Sequence, residues 1–131
     1  MSLSAPDAAI DALMPSYEPA LAVIVAELRL IFRGLPGASE GLKWASPSYR
    51  TAGDWFATFN KTRDRLPVRI ILHRGAAKRE RPIEAGDVAD PEGLVRWLGP
   101  DRAAITVDSL ASLQTRRAAI EALVVDWLRW V

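Results

Sequence analysis

Apolar residues recur at helical spacing over residues 19–35. They lie three or four positions apart, as expected for the buried face of an α-helix: Leu21, Ile24, Val25, Leu28, Ile31, Phe32 and Leu35. Pro19 suits the first turn of this helix, and Gly34 suits its end. Because Val23 and Leu30 fall on the opposite side, the pattern predicts a helix that is buried on most of its surface.

Two further helices are predicted near the chain ends. The first covers residues 5–14, where Ser4 and Asp7 have the spacing of a capping box and Pro15 prevents continuation. The second covers residues 110–131, and its apolar positions form one stripe: Leu113, Ile120, Val124, Trp127 and Val131.

The central part of the chain has the two-residue period of β-strands. Four segments are predicted to be strands: residues 42–50, 55–60, 68–74 and 103–107. Pro47 interrupts the first of them, which favours an edge strand or a bulge there. In the third, Val68, Ile70 and Leu72 share one face, while Arg69, Ile71 and His73 share the other. Residues 76–93 are rich in Gly and Pro and are predicted to form a loop, and residues 94–98 a helical turn.

This order of elements predicts an α+β fold built as a two-layer sandwich. We expect an antiparallel sheet of about four to five strands, packed against the N-terminal and C-terminal helices. Residues 18–131 would form this single domain, and residues 1–17 an N-terminal helical extension. One face of the sheet would then remain open to solvent or to a partner.

Composition excludes several classes of chemistry. The 131 residues include no cysteine and a single histidine, so thiol catalysis, Cys-ligated metals and His-pair metal motifs are excluded. No apolar run reaches the roughly 20 residues that cross a membrane, and the N-terminus lacks a signal-peptide pattern. The sequence therefore predicts a cytoplasmic protein without membrane contact.

Residues 40–49, Glu-Gly-Leu-Lys-Trp-Ala-Ser-Pro-Ser-Tyr, carry a family resemblance. They resemble the pattern Glu-x-hydrophobic-Lys-Trp-x-x-Pro-x-Tyr of the YdhG-like domains, which are small bacterial proteins of unknown function. The resemblance covers about residues 18–131 and implies a frataxin-like fold. Some relatives are described as iron chaperones, but the family implies no catalytic residues. The charged residues 76–81 depart from the more apolar segment of relatives, which puts any ligand contact there in doubt.

The first candidate site lies within this segment and consists of Lys43, Trp44, Pro47 and Tyr49. An aromatic floor with one cation suits an anionic or planar ligand. The alternative is that these side chains anchor the sheet to the helices, because tryptophan at the start of a strand commonly serves packing.

A second candidate site combines Arg69 and His73 on the outward face of one strand. Depending on the register, the neighbouring strand would place beside them either Trp55, Ala57 and Phe59 or Phe56, Thr58 and Asn60. The functional interpretation is an anion site with a titratable histidine, and the alternative is an ordinary solvated face. A role for His73 as general base requires an orienting carboxylate. Asp54 and Asp64 are the nearest in sequence.

Three other patterns each have a functional and a structural interpretation. Residues 61–81 carry eight cations against two acids, but the whole chain has a formal charge of only +1 and no nucleic-acid motif, so a nucleic-acid partner is not favoured. Residues 84–92 contain four acids that could gather a metal ion, be solvated, or pair with the basic stretch. Trp127 and Trp130 are spaced so that one completes the core and the other could contribute to a homodimer interface.

Taken together, the residues predict a non-catalytic binding module for a small ligand or a protein partner. Its predicted binding residues are Lys43, Trp44, Tyr49, Trp55, Arg69 and His73, on the open face of the sheet. No cofactor is predicted from the residues themselves. The alternative, which rests on the family resemblance, is a frataxin-like iron-binding chaperone.

Overall fold

Three helices and six strands form the protein in a computed structural model, which describes residues 3–51, 54–62, 65–75 and 81–131. The helices are α1 (Ala8–Leu13), α2 (Pro19–Arg33) and α3 (Leu110–Leu128), and a 3-10 turn, Met14–Ser16, follows α1. The strands are β1 (Ser39–Lys43), β2 (Ser46–Arg50), β3 (Trp55–Thr62), β4 (Arg65–Leu72), β5 (Val95–Gly99) and β6 (Arg102–Val107). They form one antiparallel sheet in the order β1-β2-β3-β4-β6-β5.

The predicted fold class is confirmed: the protein is α+β, with helices at both ends of the chain and an open antiparallel sheet. The sheet has six strands, more than expected, for two reasons. The predicted strand 42–50 is divided by a tight turn at Trp44 and Ala45 into the hairpin β1–β2. The predicted helical turn at residues 94–98 is wrong, because this segment pairs with β6 and forms the edge strand β5. Pairing with a neighbouring strand outweighs the weak local preference of such a short segment.

Side chains at the helix starts explain where the helices begin. The Asp7 carboxylate accepts a hydrogen bond from the Ile10 amide at 3.0 Å, so α1 begins three residues later than the predicted cap at Ser4 implied. Ser109 caps α3 in the same way, through the Ser112 amide at 3.1 Å. The predicted apolar face of α2 is buried, but Val23 and Leu30 on its opposite side are exposed, so the helix is buried on less of its surface than expected.

The core lies between the helices and one face of the sheet. Its centre is an aromatic cluster in which Phe32 of α2 contacts Tyr49, Phe56 and Phe59 of the sheet, with ring centroids 5.0 to 6.4 Å apart. On β4, Val68, Ile70 and Leu72 face this core and are fully buried, as the alternation predicts. Burial on this scale is the main favourable contribution to folding.

The N-terminal helix is joined to the domain through a buried polar network. Arg29 donates to Glu40 at 2.5 and 3.1 Å and to Asp11 of α1 at 2.8 Å. Glu40 also accepts from the Asp7 amide at 2.7 Å, while Ile10 of α1 is fully buried. Burial disfavours charge on Glu40, but these hydrogen bonds, together with one from Tyr49, hold the pKa of its carboxyl below the ordinary value. None of the described helices has the length and hydrophobicity needed to cross a membrane.

Candidate functional site

The strand register determines which side chains lie on the open face of the sheet. Thr58 pairs with Ile71, and Ile71 pairs with Ala104, so these three residues share one face. Since Val68, Ile70 and Leu72 point into the core, their neighbours Arg69, Ile71 and His73 lie on the open face. The predicted outward position of Arg69 and His73 is thus observed.

A pocket of about 660 Å³ opens on this face. It lies where the ends of β1 and β4 meet the turn between β5 and β6. Basic, aromatic and amide side chains line this pocket, namely Lys43, Trp44, Asn60, His73 and Arg102. Other lining residues, described below as its two sides, are Asp54, Arg74, Gly75 and Asp101.

The β1–β2 turn presents an indole at the rim of this pocket. Trp44 and Ala45 both have positive φ, 53° and 57°, as a tight hairpin turn of two residues requires. This backbone conformation is strained for a bulky residue other than glycine. Trp44 is nevertheless 77% exposed, so burial of its ring does not compensate the strain. Such strain at an exposed aromatic residue is typical of functional positions.

Lys43 places its ammonium between two indoles. Its Nζ lies 4.3 Å from the centre of the Trp44 ring and 5.5 Å from that of Trp55. Trp55 lies over Gly41, where any Cβ would come within 2.9 Å of its ring. The two cation–π contacts orient the lysine toward the pocket without neutralising its charge.

His73 is held in place by three hydrogen bonds. Its amide donates to the Phe56 carbonyl at 2.8 Å, and its own carbonyl accepts from the Trp127 indole at 2.9 Å. Its Nδ1 accepts from the Gly75 amide at 3.2 Å, so the proton of the neutral ring resides on Nε2. Burial, reinforced by the positive charges of Lys43 and Arg102, lowers the pKa of His73 below its ordinary value, although Asp54 opposes this. The histidine is therefore a neutral hydrogen-bond donor near pH 7.

Asp54 and Gly75 form one side of the pocket in close contact. Gly75 has φ +73°, and a Cβ at this position would lie 2.1 Å from the Asp54 carboxylate. The same carboxylate accepts a hydrogen bond from the Trp55 amide at 2.8 Å. Glycine is therefore required here both for the backbone angle and for the space.

Arg74 and Asp101 form the other side as a fixed polar frame. The buried Arg74 guanidinium donates to Asp101 at 2.8 Å, to the Trp130 carbonyl at 2.8 Å and to the Arg81 carbonyl at 2.9 Å. Because these contacts occupy Arg74, the cations left to meet a ligand are Lys43 and Arg102. Neither forms an ion pair with any residue in the described ranges.

Five of the six predicted binding residues lie on the open face. Lys43, Trp44 and His73 line the pocket, and Trp55 lies beside Lys43. Arg69 pairs with the lining residue Asn60 but does not itself line the pocket. General-base chemistry at His73 is not supported by a carboxylate on Nδ1, since the Gly75 amide occupies that atom. Asp64, the other carboxylate considered, lies outside the described residues.

Tyr49 does not join the other predicted binding residues. It lies on the helix side of the sheet, fully buried against Phe32 and Phe59 at 5.0 and 5.1 Å. Its hydroxyl donates to Glu40 at 2.7 Å. Ser48, the preceding residue, occupies the open face instead, because successive side chains alternate.

Arg102 and Asn60 line the pocket but are not among the six predicted binding residues. Asn60 is a possible neighbour of Arg69 and His73 in one of the two registers considered, and Arg102 lies just before the predicted strand 103–107. Alternation along β6 places Arg102 with Ala104 and Thr106 on one face, but only the pairing of β6 with β4 shows that this is the face of His73.

The other charged and aromatic patterns have structural partners. In the acidic segment 84–92, Asp87 pairs with Arg81, and Asp90 accepts from the amides of Leu94 and Val95. Trp127 is buried in the core, whereas Trp130 is half-buried between the guanidinium groups of Arg81 and Arg129.

Of the basic stretch 61–81, Arg63, Lys78 and Arg79 lie outside the described residues, as do the side chains of Lys61 and Arg65. Among the described residues, no three His, Asp or Glu side chains are grouped as a metal site would require.

Comparisons with protein families, curated proteins and solved structures find no match to this chain.

Proposed function

We propose that the open-face pocket binds a small anionic ligand that carries a planar group, and that the protein acts as a binding module. The observation that carries this proposal is that two cations, Lys43 and Arg102, line one pocket together with the neutral His73 and act electrostatically on it. Neither cation has an ion-pair partner among the described side chains, so both can pair with an anion in the pocket, whereas the lining carboxylates Asp54 and Asp101 already have partners.

Each lining residue has a separate role in this proposal. Lys43 and Arg102 pair with the anion, and His73 donates from Nε2. Trp44 presents an exposed ring on which the planar part of a ligand can stack. Asn60 adds an amide that can both donate and accept. A mostly preformed site of this size, with a few convergent polar groups, suits a small molecule.

The proposal is tested by calorimetric titration with phenyl phosphate, which combines a planar ring with an anion, and with inorganic phosphate. We expect phenyl phosphate to bind more tightly, since only it can stack on Trp44. Arg102→Ala and Lys43→Ala should each weaken its binding about ten-fold. The matched control is Arg116→Ala, an exposed arginine on α3, which should bind as the unmodified protein does. Equal affinity in all four proteins would refute the proposal.

The YdhG-like resemblance and the iron-binding alternative stay predictions. Two of the four carboxylates of the acidic segment, those of Asp87 and Asp90, are hydrogen-bonded to amides or paired with arginine, which does not favour iron over the anion proposal. Thermal unfolding with Fe(II), with Mg(II) as the control for charge, tests the alternative. Saturation at about 100 times the dissociation constant would add about 2.7 kcal/mol of stability.

A further inference from the structure

Positive charge on the open face extends well beyond the pocket. Among the side chains that the structure describes, the register places five cations on this face, one on each strand except β3: Lys43, Arg50, Arg69, Arg96 and Arg102. Within the six strands the only acidic residue is Glu40, which lies on the helix side and pairs with Arg29. The open face of the strands therefore carries cations and no acid.

These cations are available to a partner. Arg50, Arg96 and Arg102 are exposed, and Lys43 and Arg69 are half-buried. None of the five forms an ion pair with a residue in the part of the chain that the structure describes. A surface with several cations outside ion pairs attracts an anion that carries several charges of its own.

Aromatic rings lie among these cations. Trp44 is exposed at the rim of the pocket, and Trp55 is half-buried beside it. Lys43 lies over both rings, and the Arg50 guanidinium lies 5.0 Å from the centre of the Trp55 ring. Aromatic rings interleaved with cations on an open sheet are the arrangement that binds unpaired bases and their phosphates.

The cations span the width of the sheet, from β1 at one edge to β5 at the other. Adjacent strands lie about 4.8 Å apart, so the five intervals between six strands cover about 24 Å. This distance exceeds one small molecule and suits an extended chain of several charged units. A duplex would satisfy the cations, but its bases are stacked inside and cannot reach the tryptophans.

We infer that the open sheet face binds single-stranded nucleic acid, with one nucleotide seated in the pocket between Trp44 and Arg102. This inference rests on the proposed anion site and extends it: the ligand is polymeric, and Arg69 and Arg96 contact phosphates outside the pocket. Sequence-specific contacts are not part of the inference, since stacking and charge are tolerant of base identity.

The test is fluorescence anisotropy with a fluorescein-labelled 12-nucleotide oligo(dT) at several salt concentrations. If all five cations contact phosphates, the logarithm of the association constant should fall with the logarithm of salt concentration with a slope of about −3.5. Arg69→Ala combined with Arg96→Ala should reduce the magnitude of that slope by about 1.4 and leave phenyl phosphate binding unchanged. Trp44→Ala should weaken oligonucleotide binding by about 5- to 150-fold, whereas Arg116→Ala should change nothing.

The outcomes separate this inference from the proposed function. If phenyl phosphate binds but the oligonucleotide binds no more tightly, and the double variant has no effect, the inference is wrong and the proposed function stands. If neither probe binds, both are wrong. Equally tight binding of a duplex, or of polyphosphate with no loss in Trp44→Ala, would overturn the assignment to single-stranded nucleic acid.

Discussion

The indole Nε1 of Trp127 donates a hydrogen bond to the carbonyl oxygen of His73 at 2.9 Å. Trp127 belongs to α3, whereas His73 follows directly after β4, and the two are 54 positions apart in the chain. The contact connects the fully buried interior of the helix layer with the end of the strand that carries the pocket histidine. The position of His73 therefore depends on the core beneath it.

Replacing Trp127 by phenylalanine removes this hydrogen bond and part of the packing against Trp97, whose ring lies 5.6 Å away. We expect Trp127→Phe to lower the free energy of unfolding by about 1–3 kcal/mol, because the carbonyl of His73 loses a buried partner. Chemical denaturation measures this loss. Trp44→Phe is the matched control, since Trp44 is exposed, and it should change stability by no more than about 0.5 kcal/mol.

Tyr49 should matter for stability and not for binding. Its buried hydroxyl donates to Glu40, and both burial and that carboxylate raise the pKa of Tyr49 above its ordinary value. Tyr49→Phe removes a hydrogen bond to a charged group, so we expect a loss of about 1.5–3 kcal/mol in the free energy of unfolding. Affinity for phenyl phosphate should stay the same, because the ring lies on the other side of the sheet. A loss of affinity in a fully folded variant would contradict this assignment.

The pKa of His73 should respond to its two cationic neighbours. Lys43 and Arg102 help to lower this pKa, so Lys43→Ala and Arg102→Ala should each raise it toward 6.5. His73 is the single histidine of the chain, so its ring protons give one NMR titration curve without assignment. Arg50→Ala, on the same face but outside the pocket, is the control and should leave the curve where it is.

The lowered pKa of His73 makes the free energy of unfolding depend on pH between 6.5 and the pKa of His73 in the folded protein. In this range the unfolded state binds more protons at this residue, so the contribution of His73 to the free energy of unfolding falls as pH falls. Above pH 6.5 the contribution is constant. We expect His73→Gln to have a flatter dependence of stability on pH in this window, which thermal unfolding at closely spaced pH values would detect. A steeper dependence in the variant would contradict the predicted loss of stability with falling pH at His73.

Gly75→Ala should destabilise the side of the pocket that Gly75 and Asp54 form. The alanine must adopt a φ near +73°, and its Cβ must displace the Asp54 carboxylate. We expect a loss of about 1–3 kcal/mol in the free energy of unfolding, from the strained backbone and the contact together. Gly86→Ala is the control, since Gly86 also has positive φ but its Cβ would meet no atom within 4 Å. The free energy of unfolding should fall more in Gly75→Ala than in Gly86→Ala, and this difference measures the effect of the contact with Asp54.

The architecture follows from short-range patterns to a large extent. Alternation in β4 predicted its buried face, and helical spacing predicted α2 and α3. The hairpin turn at Trp44 and Ala45 was not predicted, because a two-residue turn with positive φ normally uses glycine or asparagine. Strand β5 was missed because pairing with β6, and not its own composition, makes it a strand.

The binding surface was harder to predict because it is assembled from distant parts of the chain. Lys43 and Arg69 are among the predicted binding residues, but the positions of Arg50, Arg96 and Arg102 on the same face follow only from the pairing of the strands. Lys43 and Arg102 are 59 positions apart and yet line one pocket. Tyr49 was assigned to the site because it is close in sequence to Lys43 and Trp44, although alternation turns it into the core.

The most direct test of the account is the NMR titration of His73 with and without saturating phenyl phosphate. An anion held between Lys43 and Arg102 would stabilise the protonated imidazole, so the account predicts that the ligand raises the pKa of His73. By linkage, phenyl phosphate should then bind more tightly as pH falls through that range. A His73 titration curve that stays the same when phenyl phosphate is bound would contradict the placement of the anion in this pocket.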